Sequence, residues 1–348
     1  MRQITGAAIA MAAACVIGAV ALANFPVASH SAPPVTRKTA SSPRVPGPTV
    51  MPASSFVSVY PPEGTADVRG TGGAKFGTVH PPRGSKFFAV GGGADDRRFV
   101  LAAQGSSGTH LYLLRLDQHG RPGRPLVKLA LPALPRHFGS CQAELSGLAV
   151  GPADGGLVAA SMLSYCPTGR AGQSEILVAR ISSGHILATF HPGRGYPMWL
   201  SWTQAGALAY DWSGDTTGVF LIPDATNSHS KARLLIGNSA SVGGFSGANY
   251  PLISLNGSSV FTTVVRGSGT FAIAVFSANG KTRKLLTPPV RNPTQFCGPL
   301  WADAAGRRVL AACGDGAEFR ILNGHVTKLH RPWKLPTYPT PGAPLIAW

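Results

Sequence analysis

PLWADAAGRRVLAAC, residues 299–313, reads as an apolar run, a short turn over Asp303–Gly306 and a second apolar run. The same layout stands in four earlier stretches: FFAVGGGADDRRFVLAAQ (87–104), LAVGPADGGLVAAS (148–161), LSWTQAGALAYDW (200–212) and LISLNGSSVFTTVV (252–265). It returns about every 50 residues, and the chain ends where a sixth copy would begin. Self-similarity at such a period marks a repeat architecture, in which one unit cannot bury its own apolar face and must stack on its neighbours.

Each copy continues with two more strand-like runs. HLYLLRL (110–116) turns at Asp117–Gly120 before PLVKLAL (125–131), and EILVARI (175–181) passes through Ser182-Ser183-Gly184 to HILATF (185–190). GVFLI (218–222) reaches ARLLI (232–236) by a longer loop. FAIAVFS (271–277) turns at Asn279-Gly280 into KTRKLL, and AEFRIL (317–322) turns at Asn323-Gly324 into HVTKL. Asn-Gly between alternating runs is a strong hairpin signal, because a type I′ turn needs positive φ at both central residues.

Four antiparallel strands per unit, repeated around an axis, predict an all-β fold: a six-bladed β-propeller, or seven-bladed if residues 105–143 hide another hairpin. The innermost strands are apolar because neighbouring blades cover both faces, and the outermost alternate because they border water. FVSVY (56–60), ADVR (66–69) and AKFGTVH (74–80) supply three strands with no inner strand before them. PLIAW (344–348) reads as an inner strand with no hairpin partner, so one blade built from both termini closes the ring.

The turns GPADG, TQAG, SLNG and ADAAG look like degenerate forms of the S-P-D-G hairpin of WD40-like and TolB-like propeller repeats. Over residues 55–348 the chain resembles exported actinobacterial propeller proteins. These motifs are structural, so the resemblance implies a fold and no catalytic residue. The Trp-Asp dipeptide and its histidine network are missing, so no WD40 partner role carries over.

Composition agrees. Gly 43 and Pro 30 favour tight turns over helices, and only 13% of residues are charged. The formal net charge is +17, yet basic residues are scattered and lack interleaved aromatics, which argues against nucleic acid. Residues 1–23 read as an export signal: Arg2, an apolar run from Ile4, and Ala21-Leu22-Ala23 as a cleavage site. The run is also long enough to stay as a membrane anchor, so cleavage and retention both fit. Residues 24–54, rich in Pro and Ser, read as a disordered linker, and residues 55–348 as the propeller domain.

Cys141, Cys166, Cys297 and Cys313 lie in the exported part, where disulfides persist. Cys141 and Cys166 are equidistant from the turn at Ala153-Asp154, and Cys297 and Cys313 from the turn at Ala305. This predicts the bridges Cys141–Cys166 and Cys297–Cys313, with free thiols as the alternative.

Catalytic signatures are weak. GGFSGA (243–248) misplaces one glycine of a nucleophile elbow. SGDTTGVF (213–220) lacks the spacing and terminal Trp of a sialidase box. GTGGAKFG (70–77) reads as a hairpin rather than a phosphate loop. Glu63, Glu144, Glu175 and Glu318 form no evident pair, and the histidines show no metal spacing. No catalytic residue, metal or cofactor is therefore assigned. The segments leading into the inner strands are expected to converge on one mouth of the channel. They carry Arg136, His137, Arg194, Tyr196, Asn249, Tyr250, Arg291, Asn292 and Gln295, a set suited to an anionic or glycan ligand. The expected function is a monomeric, non-catalytic, extracytoplasmic propeller that binds a protein or an anionic cell-envelope polymer. The alternatives are a lyase or hydrolase with its site at the mouth, and an envelope sensor domain.

Overall fold

The computed structural model describes residues 55–330 and 346–347, apart from positions 61, 72, 94, 96, 124, 153–155, 167–171, 215, 268, 280–282, 292–296 and 314–316. The signal segment, the linker, Asn292, Gln295, Trp348 and the turn at Ala153-Asp154 lie outside the described residues. Chain contacts divide Met1–Gly47 from Pro48–Trp348, and every described residue belongs to the second unit.

Alternating and apolar runs bounded by Gly, Asp and Asn become strands, and no helix occurs among the described residues. β1 (Ser55–Tyr60), β2 (Thr65–Gly70) and β3 (Lys75–Val79) open the first group. The second holds β4 (Lys86–Gly92), β5 (Arg98–Gly105), β6 (Gly108–Arg115) and β7 (Val127–Lys128). A short strand β8 (His137–Phe138) leads into the third group: β9 (Cys141–Val150), β10 (Leu157–Tyr165), β11 (Gln173–Arg180) and the first half of β12 (Ile186–Trp202). The second half of β12 starts the fourth group, followed by β13 (Leu208–Gly214), β14 (Gly218–Ile222) and β15 (Arg233–Gly237).

The fifth group has β16 (Ser241–Val242), β17 (Phe245–Ile253), β18 (Ser259–Arg266), β19 (Thr270–Ser277), β20 (Arg283–Leu285) and β21 (Val290–Arg291). The sixth has β22 (Cys297–Ala302), β23 (Arg308–Cys313), β24 (Ala317–Leu322) and β25 (His325–His330). Last comes β26 (Ile346–Ala347). All pairings are antiparallel, and the result is a propeller-like arrangement of four-stranded sheets. Because β12 serves two groups, the third and fourth are joined in one eight-stranded sheet. Residues 105–143 add no further four-stranded group among the described residues.

The first group is completed from the far end of the chain. β26 pairs with β1, Ala347 opposite Val57 and Ile346 opposite Ser58. Arg320 adds a second tie: its Nε meets Glu318 Oε1 at 2.9 Å while its Nη2 donates to the carbonyl of Thr71 in the first group at 3.2 Å. Asn323 and Gly324 sit at φ 50° and 82°, the left-handed pair that the Asn-Gly hairpin demands.

The core lies between groups rather than within them. Val57 and Val68 of the first meet Phe99 and Leu101 of the second. Ala89 and Val100 meet Leu148 and Val158 of the third. Ala159 and Val178 meet Trp202 and Tyr210 of the fourth, and Ala209 and Val219 meet Phe245 and Val260 of the fifth. Ile273 meets Cys297 and Phe319 of the sixth, and Trp301 meets Phe56 and Ile346 at the closure. A group taken alone would expose both apolar faces, which explains why the sequence repeats.

Candidate functional site

The inner strands come together at one cavity. It is lined by Val90–Gly93, Leu148–Pro152, Trp199–Trp202, Pro251–Ile253 with Leu255, Pro299–Ala302, and Ile346–Ala347. Every group contributes one inner segment. The cavity holds about 120 Å³, and no charged side chain lines it. Close backbone approach narrows it: a Cβ on Gly91 would stand 2.5 Å from the carbonyl oxygen of Leu148. The centre is therefore a narrow seam walled by apolar side chains, Ser201 and strand backbone.

None of the seven described mouth residues lines that cavity. Several of them also lie within strands. Arg194 and Tyr196 are inside β12, which runs without a break for 17 residues from one group to the next. Gly193, at φ 119°, lets the chain cross there, and Gly195 leaves room for the Trp212 ring. The flanking residues pair on both sides, Arg194 with Gln173 and Tyr196 with Ser213. Asn249 and Tyr250 belong to β17, and Arg291 pairs with Thr270 through β21. The lead-in segments are thus held by the lengthened hairpins beside them, which no local pattern announces.

Two of the predicted residues share a second hollow, of about 500 Å³, between the second and third groups. Arg136, His137, Gln142 and Glu144 stand on its walls above Phe88, Leu145 and Met162. Arg136 donates to the carbonyls of Gly105 and Ser106. With the Gln104 amide oriented so that its nitrogen donates to Thr109 Oγ1, its oxygen also accepts from Arg136 at 2.9 Å. The guanidinium is thereby fixed at the rim.

The bridge Cys141–Cys166 ties the start of β9, beside the turn of the β8–β9 hairpin, to the residue that follows β10, as the spacing predicts. Cys297–Cys313 links directly opposed residues of β22 and β23.

Aromatic residues mark the next seams. Tyr196 lies on Tyr165, centroids 5.8 Å apart. Burial, then the charges of Glu144 and Tyr196, raise the Tyr165 pKa. Tyr250 meets Trp199 edge to face. Beneath Tyr250 lies Asp211, only 2% exposed, whose Oδ2 accepts the Tyr250 N–H at 3.3 Å while its Oδ1 is buried with no hydrogen-bond partner. Burial pushes the carboxyl up to about 7, against the backbone N–H groups of Tyr250 and Trp212. Sequence reasoning missed both: Asp211 reads only as a strand residue of the repeat LSWTQAGALAYDW, and Trp199 falls just before it.

The catalytic look-alikes dissolve. Ser246 of GGFSGA is paired with Ser241 and Val265 in a hairpin, not perched on a strand-to-helix turn. Gly70 ends β2 and Lys75–Gly77 begin β3, and the two strands pair as a hairpin. Among the described residues no group of three or more His, Cys, Asp or Glu could hold a metal.

No protein-family model matches this sequence, and no curated protein does. Solved structures similar to it include TolB from Acinetobacter baumannii, 14% identical, with 84% of this chain and 65% of that one covered and a TM-score of 0.48. This chain therefore spans less than two thirds of that protein's length. A putative TolB from Agrobacterium tumefaciens is 14% identical over 79% of this chain and 87% of its own, with a TM-score of 0.45. The Dos1 propeller is 12% identical over 78% and 68%, with a TM-score of 0.43. Each of these solved structures is a TolB or another propeller protein to which this chain is similar.

Proposed function

We propose that this chain is a six-bladed extracytoplasmic propeller that binds a protein or an anionic cell-envelope polymer without transforming it, through the face bearing the lead-in segments. The observation that carries this reading is the hollow of about 500 Å³ on that face, where Arg136 is fixed at the rim beside His137, Gln142 and Glu144 over an apolar floor. A concave site with an apolar base and few convergent polar groups is the usual form of a binding site. The narrow central seam, lined by no charged side chain, offers no such grip. The exposed Arg194 and Arg291 extend the positive charge of the face, in keeping with a chain of net charge +17. Two disulfides suit an oxidising compartment outside the cytoplasm.

The test compares wild type with Arg194→Ala/Arg291→Ala and with His137→Ala for retention on immobilised teichoic acid and for recovery of envelope proteins, at two salt concentrations. Both variants keep their fold, since exposed substitutions cost about 0.5 kcal/mol or less. Weaker capture by the variants, most of all at low salt, supports the face as the site. Equal capture by all three proteins rejects it, and turnover of a glycan or ester by the purified domain would replace binding with catalysis.

A further inference from the structure

Polar side chains stitch three successive seams at corresponding heights. Ser146, lying against Ser161 of β10, donates to the carbonyl of Pro197 in the next group. Asp211 of β13 accepts the N–H of Tyr250, and Thr263 of β18 donates to the carbonyl of Cys297. Ser161, Asp211 and Thr263 each stand three residues beyond the strand position paired with Val150, Trp202 and Ile253 respectively. Two of these three stitches use neutral hydroxyls. The third uses a carboxyl.

We propose that Asp211 is a proton-operated latch between the fourth and fifth groups: protonated, it lets the seam at Tyr250 stay shut, and ionised, it loosens that seam. A charge at this position is costly because Oδ1 is buried without a hydrogen-bond partner and Oδ2 takes the Tyr250 N–H at a long 3.3 Å. Among the described residues no cation offsets that cost. Of the strands packed on β13, β12 sets Met198 opposite Asp211 and β14 sets Val219 opposite it. β17 brings the phenol of Tyr250, itself driven to higher pKa by burial and then by Asp211. The carboxyl is displaced to about 7, so the change falls near neutrality.

The seam is also poised to move. Tyr250 and Trp199 both hold left-handed φ, 58° and 53°, at irregularities in the pairing of β17 and β12. Such backbone conformations persist only while the surrounding contacts hold them. Loosening lets water reach Oδ1 and releases the strain together.

The readouts need no ligand, so the latch stands or falls apart from the binding role. The Asp211 carboxyl carbon is followed by NMR in the full wild-type protein, with the expected midpoint near pH 7. Hydrogen exchange of residues 245–253, corrected for the intrinsic rate, quickens about tenfold between pH 6 and pH 8, the part of the linkage that falls in that window. In Asp211→Asn that extra rise is absent. If that variant fails to fold, Asp211→Ser, the residue at the corresponding position 161, replaces it. A carboxyl midpoint below pH 5, or the same pH dependence in wild type and variant, overturns the proposal.

Discussion

The indole of Trp199 meets the ring of Tyr250 edge to face, centroids 4.8 Å apart and planes at 89°, across the seam between the fourth and fifth strand groups. Both residues occupy left-handed backbone, so the contact offsets strain on each side of it. A double-mutant cycle of Trp199→Ala and Tyr250→Ala, measured by denaturant unfolding, should give a coupling of about 1 kcal/mol, the range of an edge-to-face pair. Full additivity would mean the rings merely adjoin.

Closure through β26 rests on two buried residues: Ile346, packed with Phe56 and Trp301, and Ala347, packed in the cluster of Val57 and Val90. Ending the chain before Ile346 removes an inner strand and leaves the edge of β1 bare. The expected loss is about 3 kcal/mol or more, read as a lower denaturation midpoint with new aggregation. An unchanged midpoint would show that the ring closes without it.

The two disulfides should differ in access. Each closes a short loop, with sequence separations of 25 and 16, and each adds about 3 kcal/mol through the unfolded chain. Cys297 and Cys313 are buried at 1% and 0% exposure, whereas Cys141 and Cys166 are only partly buried. Timed reduction with thiol labelling should open Cys141–Cys166 first in the native protein. The reverse order would place the sixth group's bridge nearer solvent than the structure does.

Stability should also depend on acid through Asp67. Burial alone would raise its pKa, but hydrogen bonds from Lys75, Thr78 and Arg69 and the Lys75 charge prevail and lower it. A depressed carboxylate contributes stability above its unfolded value, ~3.9, and that contribution is lost as pH falls through the folded value. Asp67→Asn should lower Tm at pH 7 and flatten the fall in Tm below pH 4. Asp211 acts with the opposite sign. Its pKa is raised, so its contribution is greatest at low pH and declines between about 4 and about 7, by on the order of 4 kcal/mol in total.

The close approach at Gly91 is a further test of the seams. Gly91→Ala would press a methyl against the Leu148 carbonyl, backbone that has no rotamer to yield. A loss of about 2 kcal/mol is expected from thermal melts. A neutral effect would mean that the second and third groups stand further apart.

The strands, the Asn-Gly turn at 323–324, the cysteine pairing and closure by the C-terminal strand were all legible along the chain. They rest on local rules: a period of two along each strand, positive φ in a tight turn, and symmetry of residues about a hairpin. These rules act over a few residues and repeat with each copy, so one sequence displays them many times. The identity of the site residues does not follow such rules. Arg194 and Tyr196 look like loop residues, but hairpins from two groups hold them in β12. Arg136 looks free, but carbonyls 31 and 30 residues away fix it at the rim of a hollow. Asp211 looks like one more polar residue on a strand, and only the docking of β17 strips it of water and hands it the Tyr250 N–H. Burial and partnership across a seam belong to neither strand alone, so only the tertiary structure could decide which polar groups carry charge, strain or a ligand.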